Sequence, residues 1–370
     1  MKFPLRPTVT HPKTLVVGVH APTNLTKNIQ SYFDEFVSLV HSNEIEYDEV
    51  LFVKIRSIDP AYFLTKGKLE ELAELCKTHE IEEVLISEPL SPQQERNLAE
   101  ILNVRVYDRT HLILEIFEKG AQSAEGKTQV ELAFLQHQKS RLAGRGVHMS
   151  QQGGRIGTRG PGETQKEKEM QHIEHRMVKL KRDLAQLAKT RETQRKQRLE
   201  TNIPHVTLVG YTNAGKSTII NQLTKSDLLA EDRLFATLDT TTRALVIDGT
   251  KKGVISDTVG FIQQLPHHLI EAFKSTLTEL LYSHLLLHVI DLSDPNWEAH
   301  TQVVMEVLKE IGVDKPMLYV FNKADLLDEK EFENLKLDQF EPHIIISARS
   351  KDGIAPLVDY LRIWKPSKAQ

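Results

Sequence analysis

Eight residues constrain this chain more than any others. Gly210-Tyr-Thr-Asn-Ala-Gly215-Lys216-Ser217 follows the β-branched run "HVTLV" and leads into the helical "STIINQLT". Glycines at this spacing, between a strand and a helix, let the backbone curl until successive N–H groups of Tyr211, Thr212, Asn213 and Ala214 face one centre. The helix that follows adds the positive end of its dipole. Such a cradle suits phosphate: Lys216 can reach the β and γ oxygens, and the Ser217 hydroxyl can ligate Mg2+. The bland alternative is a glycine turn with an exposed lysine, which the strand-then-helix context disfavours. A loop of this kind is delivered by a parallel sheet, so an α/β domain is expected from about residue 201 to 370.

Three further elements follow in a meaningful order. "GVISDTVG" is a strand ending at Asp257, placed to hold the Mg2+ shell, with Thr258 and Val259 leading to Gly260, whose N–H can sense a γ-phosphate. "PMLYVFNKAD" is an apolar strand that delivers Asn322, Lys323, Ala324 and Asp325. A carboxylate there can accept two hydrogen bonds from the N1–H and exocyclic amine of guanine, a donor pair that adenine lacks, while Lys323 offers its aliphatic stem to the base. "HIIISARS" then brings Ser347, Ala348 and Arg349, with a backbone N–H suited to the guanine O6. Taken singly, "NKAD" reads equally well as a helix cap. In this order the set reads as a GTP site, with GTP and GDP as ligands.

Upstream, the apolar runs "TLVVGV", "EVLFVKI", "EEVLIS" and "VRVYD" alternate with helical patterns such as "KLEELAELCKTHE", which predicts a smaller α/β domain over 1–125. From about Gly126 the strands stop. "GKTQVELAFLQHQKSRLAG" predicts a helix carrying Val130, Phe134 and Leu142, and Ile173, Met177, Leu180, Leu184 and Leu187 recur at spacings of four and three. A helical hairpin over 126–200 follows, with the glycine-rich "GGRIGTRGPGETQKEKE" at its tip. Between Lys139 and Glu200 stand 16 lysines and arginines against 7 acidic residues, in a chain whose net charge is −4. That excess reads either as a solvated helix surface or as attraction to a phosphate backbone. Arg145, Arg155 and Arg159 are the candidates to meet the phosphates of such a backbone or stack on its bases. The single cysteine, Cys76, fits a small buried thiol in a reducing compartment. "MKFPLRPTVTHPK" lacks the apolar core of a signal peptide and no apolar run is long enough to span a bilayer, so a soluble, cytoplasmic protein is expected, and separately a monomer.

From Val206 onward the chain resembles translation-factor-type P-loop GTPases. With the N-terminal α/β domain, "EGKTQVELA" and "GGRIGTRGPGETQKE", the resemblance narrows to the HflX family of ribosome-associated GTPases and covers nearly the whole chain. It implies a switch I in "LFATLDTTTRAL", where Phe235, Ala236, Thr237, Leu238 and Asp239 line the nucleotide and Thr237 joins Ser217 as a Mg2+ ligand. It also implies Lys216, Thr237 and Gly260 as the catalytic set. The partner implied is the large (50S) ribosomal subunit, its rRNA and protein, and the activity is GTP hydrolysis stimulated by the ribosome in splitting or rescue of stalled ribosomes. Two positions depart from the family pattern: Thr240 replaces a usual proline, and "LTKGK" replaces a more glycine-rich turn in the N-terminal domain, which weakens the family's ATP binding as an expectation here.

Two questions stay open in the sequence. Ras-type GTPases place a glutamine after D-x-x-G to orient the attacking water, and here that position is Phe261. Either the ribosome supplies the missing function, or Phe261 is a core residue and Gln263 or Gln264 serves. Asn213 resembles the loop asparagine of potassium-activated GTPases, which implies K+ beside the β/γ bridge; a loop-stabilising amide is the alternative. The competing class of function is a nucleotide-gated RNA-binding scaffold with negligible turnover.

Overall fold

The computed structural model of the chain describes residues 12–24, 26, 28–143, 161–200, 203–224, 234–235, 237–238, 241–264, 269 and 277–366. Its backbone separates into two compact units, Met1–Lys119 with Thr128–Asp183, and Gly120–Lys127 with Leu184–Gln370.

The first unit opens with β1 (Thr14–His20), α1 (Ile29–Ser42), β2 (Glu49–Lys54), α2 (Lys66–Thr78), β3 (Glu83–Ile86), α3 (Pro92–Leu102), β4 (Arg105–Asp108) and α4 (Arg109–Gly120). The four strands pair in parallel in the order β2-β1-β3-β4. Central β1 is buried on both faces, as a parallel strand covered by helices on each side must be. β2 lies at the edge and leaves Val50 and Phe52 exposed. Helix starts follow local chemistry. The Asn28 side chain accepts from the Ser31 N–H, and Ser91 forms a reciprocal capping box with Gln94 while Pro92 occupies the first turn. Cys76 is buried in α2, and burial pushes its thiol up to about 11, so it behaves as an apolar side chain.

The helical expectation is met by α5 (Ala124–Ala143) and α6 (Pro161–Glu200), with one correction: α6 begins at Pro161, so residues 161–169, expected at the tip, are helix, as their charged helix formers favour. Val130, Phe134, Leu142, Ile173 and Leu180 are all buried, and each such side chain contributes about 1.5–3 kcal/mol by leaving water. Arg176 grips Glu131 with two bonds of 2.5 and 2.7 Å, and Lys139 meets Glu174 at 2.8 Å. As numbering rises along α5 it falls along α6, so the two helices are antiparallel.

The second unit contains β5 (His205–Gly210), α7 (Lys216–Thr224), β6 (Thr242–Ile247), β7 (Thr250–Ser256), β8 (Leu285–Asp291), α8 (Trp297–Glu310), β9 (Met317–Asn322), α9 (Glu329–Glu333), β10 (His343–Ile345) and α10 (Ala355–Ile363). The sheet order is β10-β9-β8-β5-β7-β6, parallel except for β6 against β7. That hairpin turns on Asp248 and Gly249, both with positive φ, the geometry whose twist matches the strands it joins. Val206, Leu208, Ile219, Ile220, Leu287, Val289, Leu318 and Val320 form the centre of the core. The loops that carry the motifs all leave the carboxyl ends of the parallel strands β5, β7, β9 and β10, the end where open α/β sheets present ligands.

Candidate functional site

The phosphate cradle is shaped by backbone that side chains would obstruct. Gly215 has φ +95°, and a Cβ there would run into the Asn322 amide. Gly260 is also crowded: a Cβ would lie 2.7 Å from Thr212 Cγ2 and 3.1 Å from Lys216 Nζ. Asn213 also adopts a left-handed conformation, φ 60°, which asparagine tolerates better than most residues.

Lys216 is buried and donates from Nζ to the carbonyls of Gly210 (3.1 Å) and Tyr211 (2.7 Å). Burial lowers its amine to about 8, while the nearby Asp257 carboxylate works in the opposite direction. Asp257 is itself buried, which pushes its carboxyl up against the pull of Lys216 and of hydrogen bonds from Ser217, Thr258 and Thr237. Ser217 Oγ lies 2.6 Å from Thr237 Oγ1 and donates to Asp257 Oδ2 at 3.0 Å. Two hydroxyls and one carboxylate therefore converge from α7, switch I and the end of β7. These are hard oxygen donors at the spacing of a small divalent cation's shell, and a cation there would relieve the burial penalty on Asp257.

The candidate base pocket is organised around Asn322. Its Nδ2 donates to the Ala214 carbonyl and its Oδ1 accepts the Ala348 N–H, each at 2.9 Å, so one side chain ties the cradle to the loop after β10. Lys323 has φ 63°, and its ammonium pairs with Asp291 at 2.6 Å, which fixes the stem. Asp325 accepts from Ser347 Oγ at 2.6 Å and lies 3.8 Å from the exposed Arg349 guanidinium. The Ser347 N–H is taken by the Gly353 carbonyl at 3.0 Å.

The fold thus brings together Gly210–Ser217, Thr237, Asp257–Gly260, Asn322–Asp325 and Ser347–Arg349. Phe235 and Leu238 are buried in the described part of switch I. Ala236, Asp239 and Thr240, and the three hairpin arginines Arg145, Arg155 and Arg159, lie outside the described residues. Phe261 is buried at 2% exposure and bridges Tyr211 in parallel: its carbonyl accepts the Thr212 N–H at 2.8 Å, and its own N–H donates to the Gly210 carbonyl at 3.2 Å. Two features went unread in the sequence. Tyr211 stacks on His300, and His288, buried mid-sheet in β8, is pushed down to about 3 by burial and by the Lys216 charge. Both depend on contacts between residues 89 and 72 positions apart, which periodicity does not register.

Three family models match the chain: "GTP-binding GTPase N-terminal" over residues 30–118, "GTP-binding GTPase Middle Region" over 120–198, and "50S ribosome-binding GTPase" over 205–323. Among similar curated proteins, the GTPase HflX of Caldanaerobacter subterraneus subsp. tengcongensis is 45% identical over 84% of this chain and 71% of its own length. The GTPase HflX of Escherichia coli K12 is 43% identical over 93% of this chain and 81% of its own. Among solved structures, the crystal structure of a complex of SsGBP and GDP aligns with a TM-score of 0.52 and 26% identity, covering 95% of this chain and 97% of that one.

Proposed function

This chain belongs to the HflX family and is a GTPase, and from that premise we propose that it binds the large ribosomal subunit and couples GTP hydrolysis to the splitting or rescue of stalled ribosomes. Supporting the ribosomal target are the match of residues 205–323 to a 50S ribosome-binding GTPase and the basic excess of the hairpin segment. The observation that carries the switch is the docking of Thr237 on Ser217 beside Asp257, which joins switch I, the phosphate loop and the end of β7 at one point.

In this reading Lys216 neutralises the β and γ oxygens, and a bound anion would offset the cost that burial places on its charged form. Ser217 and Thr237 would hold Mg2+ with Asp257 orienting the shell; when bound, the ion neutralises charge on the transferring phosphoryl group. The Gly260 N–H senses the γ-phosphate. Asp325, steadied by Ser347, takes the guanine N1–H and amine, and the Ala348 N–H serves O6 as a second acceptor beside Asn322. Loss of the γ-phosphate frees Thr237 and Gly260 and so releases both switches. The working parts are an α/β domain over 1–125, a basic hairpin over 126–200 and a GTPase domain over 201–370, acting as a cytoplasmic monomer; among the described residues no helix is long and apolar enough to cross a membrane.

The deciding experiment measures GTP turnover with and without purified large subunits, alongside light scattering of intact ribosomes. Stimulated turnover with a fall in scattering is expected; turnover indifferent to subunits would reject the ribosomal role. K+ is proposed beside Asn213, and rates in K+ buffer should exceed those in Na+ buffer at equal ionic strength. Equal rates, with and without ribosomes, would discard the cation.

A further inference from the structure

The second residue of the phosphate loop does more than offer its backbone. The Tyr211 ring lies flat on His300 of α8, centroids 3.9 Å apart and planes 7° from parallel, and His300 Nδ1 stands 3.4 Å from the Asp294 carboxylate. From that backstop the Tyr211 hydroxyl reaches across to switch II and accepts the Gln263 N–H at 2.8 Å. The backbone bridge between Gly210–Thr212 and Phe261 grips the same stretch two residues earlier. The segment held this way is buried side chain by side chain: Phe261, Ile262 and Gln263 all lie below a tenth exposed.

We propose that Tyr211 is a positioning residue for hydrolysis, whose hydroxyl clamps the 261–263 backbone and thereby holds Gly260 and the adjoining loop over the phosphate cradle. The inference rests on the GTPase site described above and adds a group that acts on the reaction without touching the nucleotide through its side chain. Its physical reason is the absence of a water-orienting side chain at Phe261. Where that residue cannot orient water, the position of the loop itself governs how well its N–H groups and any outside group meet the γ-phosphate. A phenylalanine at 211 would keep the stack on His300 and the apolar packing, but would leave the Gln263 N–H, in a buried stretch, without this acceptor.

Tyr211→Phe in the full chain therefore separates the hydroxyl from the ring. Turnover with saturating GTP should fall about three- to tenfold, the effect of losing one hydrogen bond that positions the loop for the transition state, while KM for GTP stays within about twofold. Hydrogen–deuterium exchange of the segment 259–264, with a non-hydrolysable GTP analogue bound, should quicken by about the same factor. Slower turnover together with faster exchange supports the clamp. Wild-type exchange in the variant overturns it, as does a wild-type rate. If the unmutated chain turns over no GTP, the functional reading fails, and the exchange measurement still decides whether the hydroxyl holds switch II.

Discussion

Asn322 illustrates how much one side chain can organise. A single amide satisfies the Ala214 carbonyl and the Ala348 N–H, both in buried surroundings, so Asn322→Ala would leave two backbone groups short of a partner. The expected cost is about 1–3 kcal/mol, read as a lower melting temperature, with GDP affinity weakened by about tenfold or more in a fluorescent-nucleotide titration. His288 makes a different prediction. Its folded-state pKa is depressed to about 3 by burial and by Lys216, whereas an unfolded histidine takes its proton near 6.5. The unfolded chain therefore binds the proton first, and the contribution of His288 is fully present above pH 6.5 and is lost as pH falls from there toward 3. The slope is about 1.4 kcal/mol per pH unit at most. His288→Leu should flatten that part of the acid limb in denaturant titrations at stepped pH; an unchanged limb would mean that His288 is not the group titrating.

At the scale of elements, switch II shows why a residue cannot be read by alignment with a motif alone. The sequence leaves Phe261 open between a core residue and a gap filled from outside. In the fold its ring is buried and its backbone is bridged to the strand end at Gly210. Phe261→Gln would then bury an amide where a ring packs, at a cost of about 2–4 kcal/mol, and should bring no gain in intrinsic turnover. A variant that hydrolyses GTP faster without subunits would show that the position faces the γ-phosphate after all. The hairpin is the converse case. Its heptad spacing was legible in advance, and the buried Ile173 and Leu180 follow it, but the partners that align the helices, Glu131 with Arg176 and Lys139 with Glu174, are visible only once both helices are in place.

For the whole molecule, charge is the property that a nucleotide switch can use at a distance. The excess of base between Lys139 and Glu200 sits in a chain that is otherwise acidic. If the segment meets rRNA, counterion release makes binding steeply salt-dependent. Replacing Arg145, Arg155 and Arg159 together with alanine should weaken co-sedimentation with large subunits and reduce the slope of log K against log salt by about two to three, while GDP affinity is retained. Unchanged pelleting and slope would remove these arginines from the contact.

What the sequence by itself determined is whatever is encoded locally. The β-branched runs and the glycine spacing specify strands and a loop between strand and helix, and the four-three periodicity specifies helices, because each signal lies within a few neighbouring residues; the proposed guanine-nucleotide site is read from the order of four such short motifs, at Lys216, Asp257, Asn322 and Ser347. The tertiary structure alone decided which distant groups meet. Thr237 docks on Ser217, Asn322 spans two loops, Tyr211 lies between His300 and Gln263, and the burial that lowers Lys216 and raises Asp257 comes from the assembled sheet. The reason is physical: hydrogen-bond partners and local dielectric are set by packing in three dimensions, and neither leaves a periodic trace along the chain.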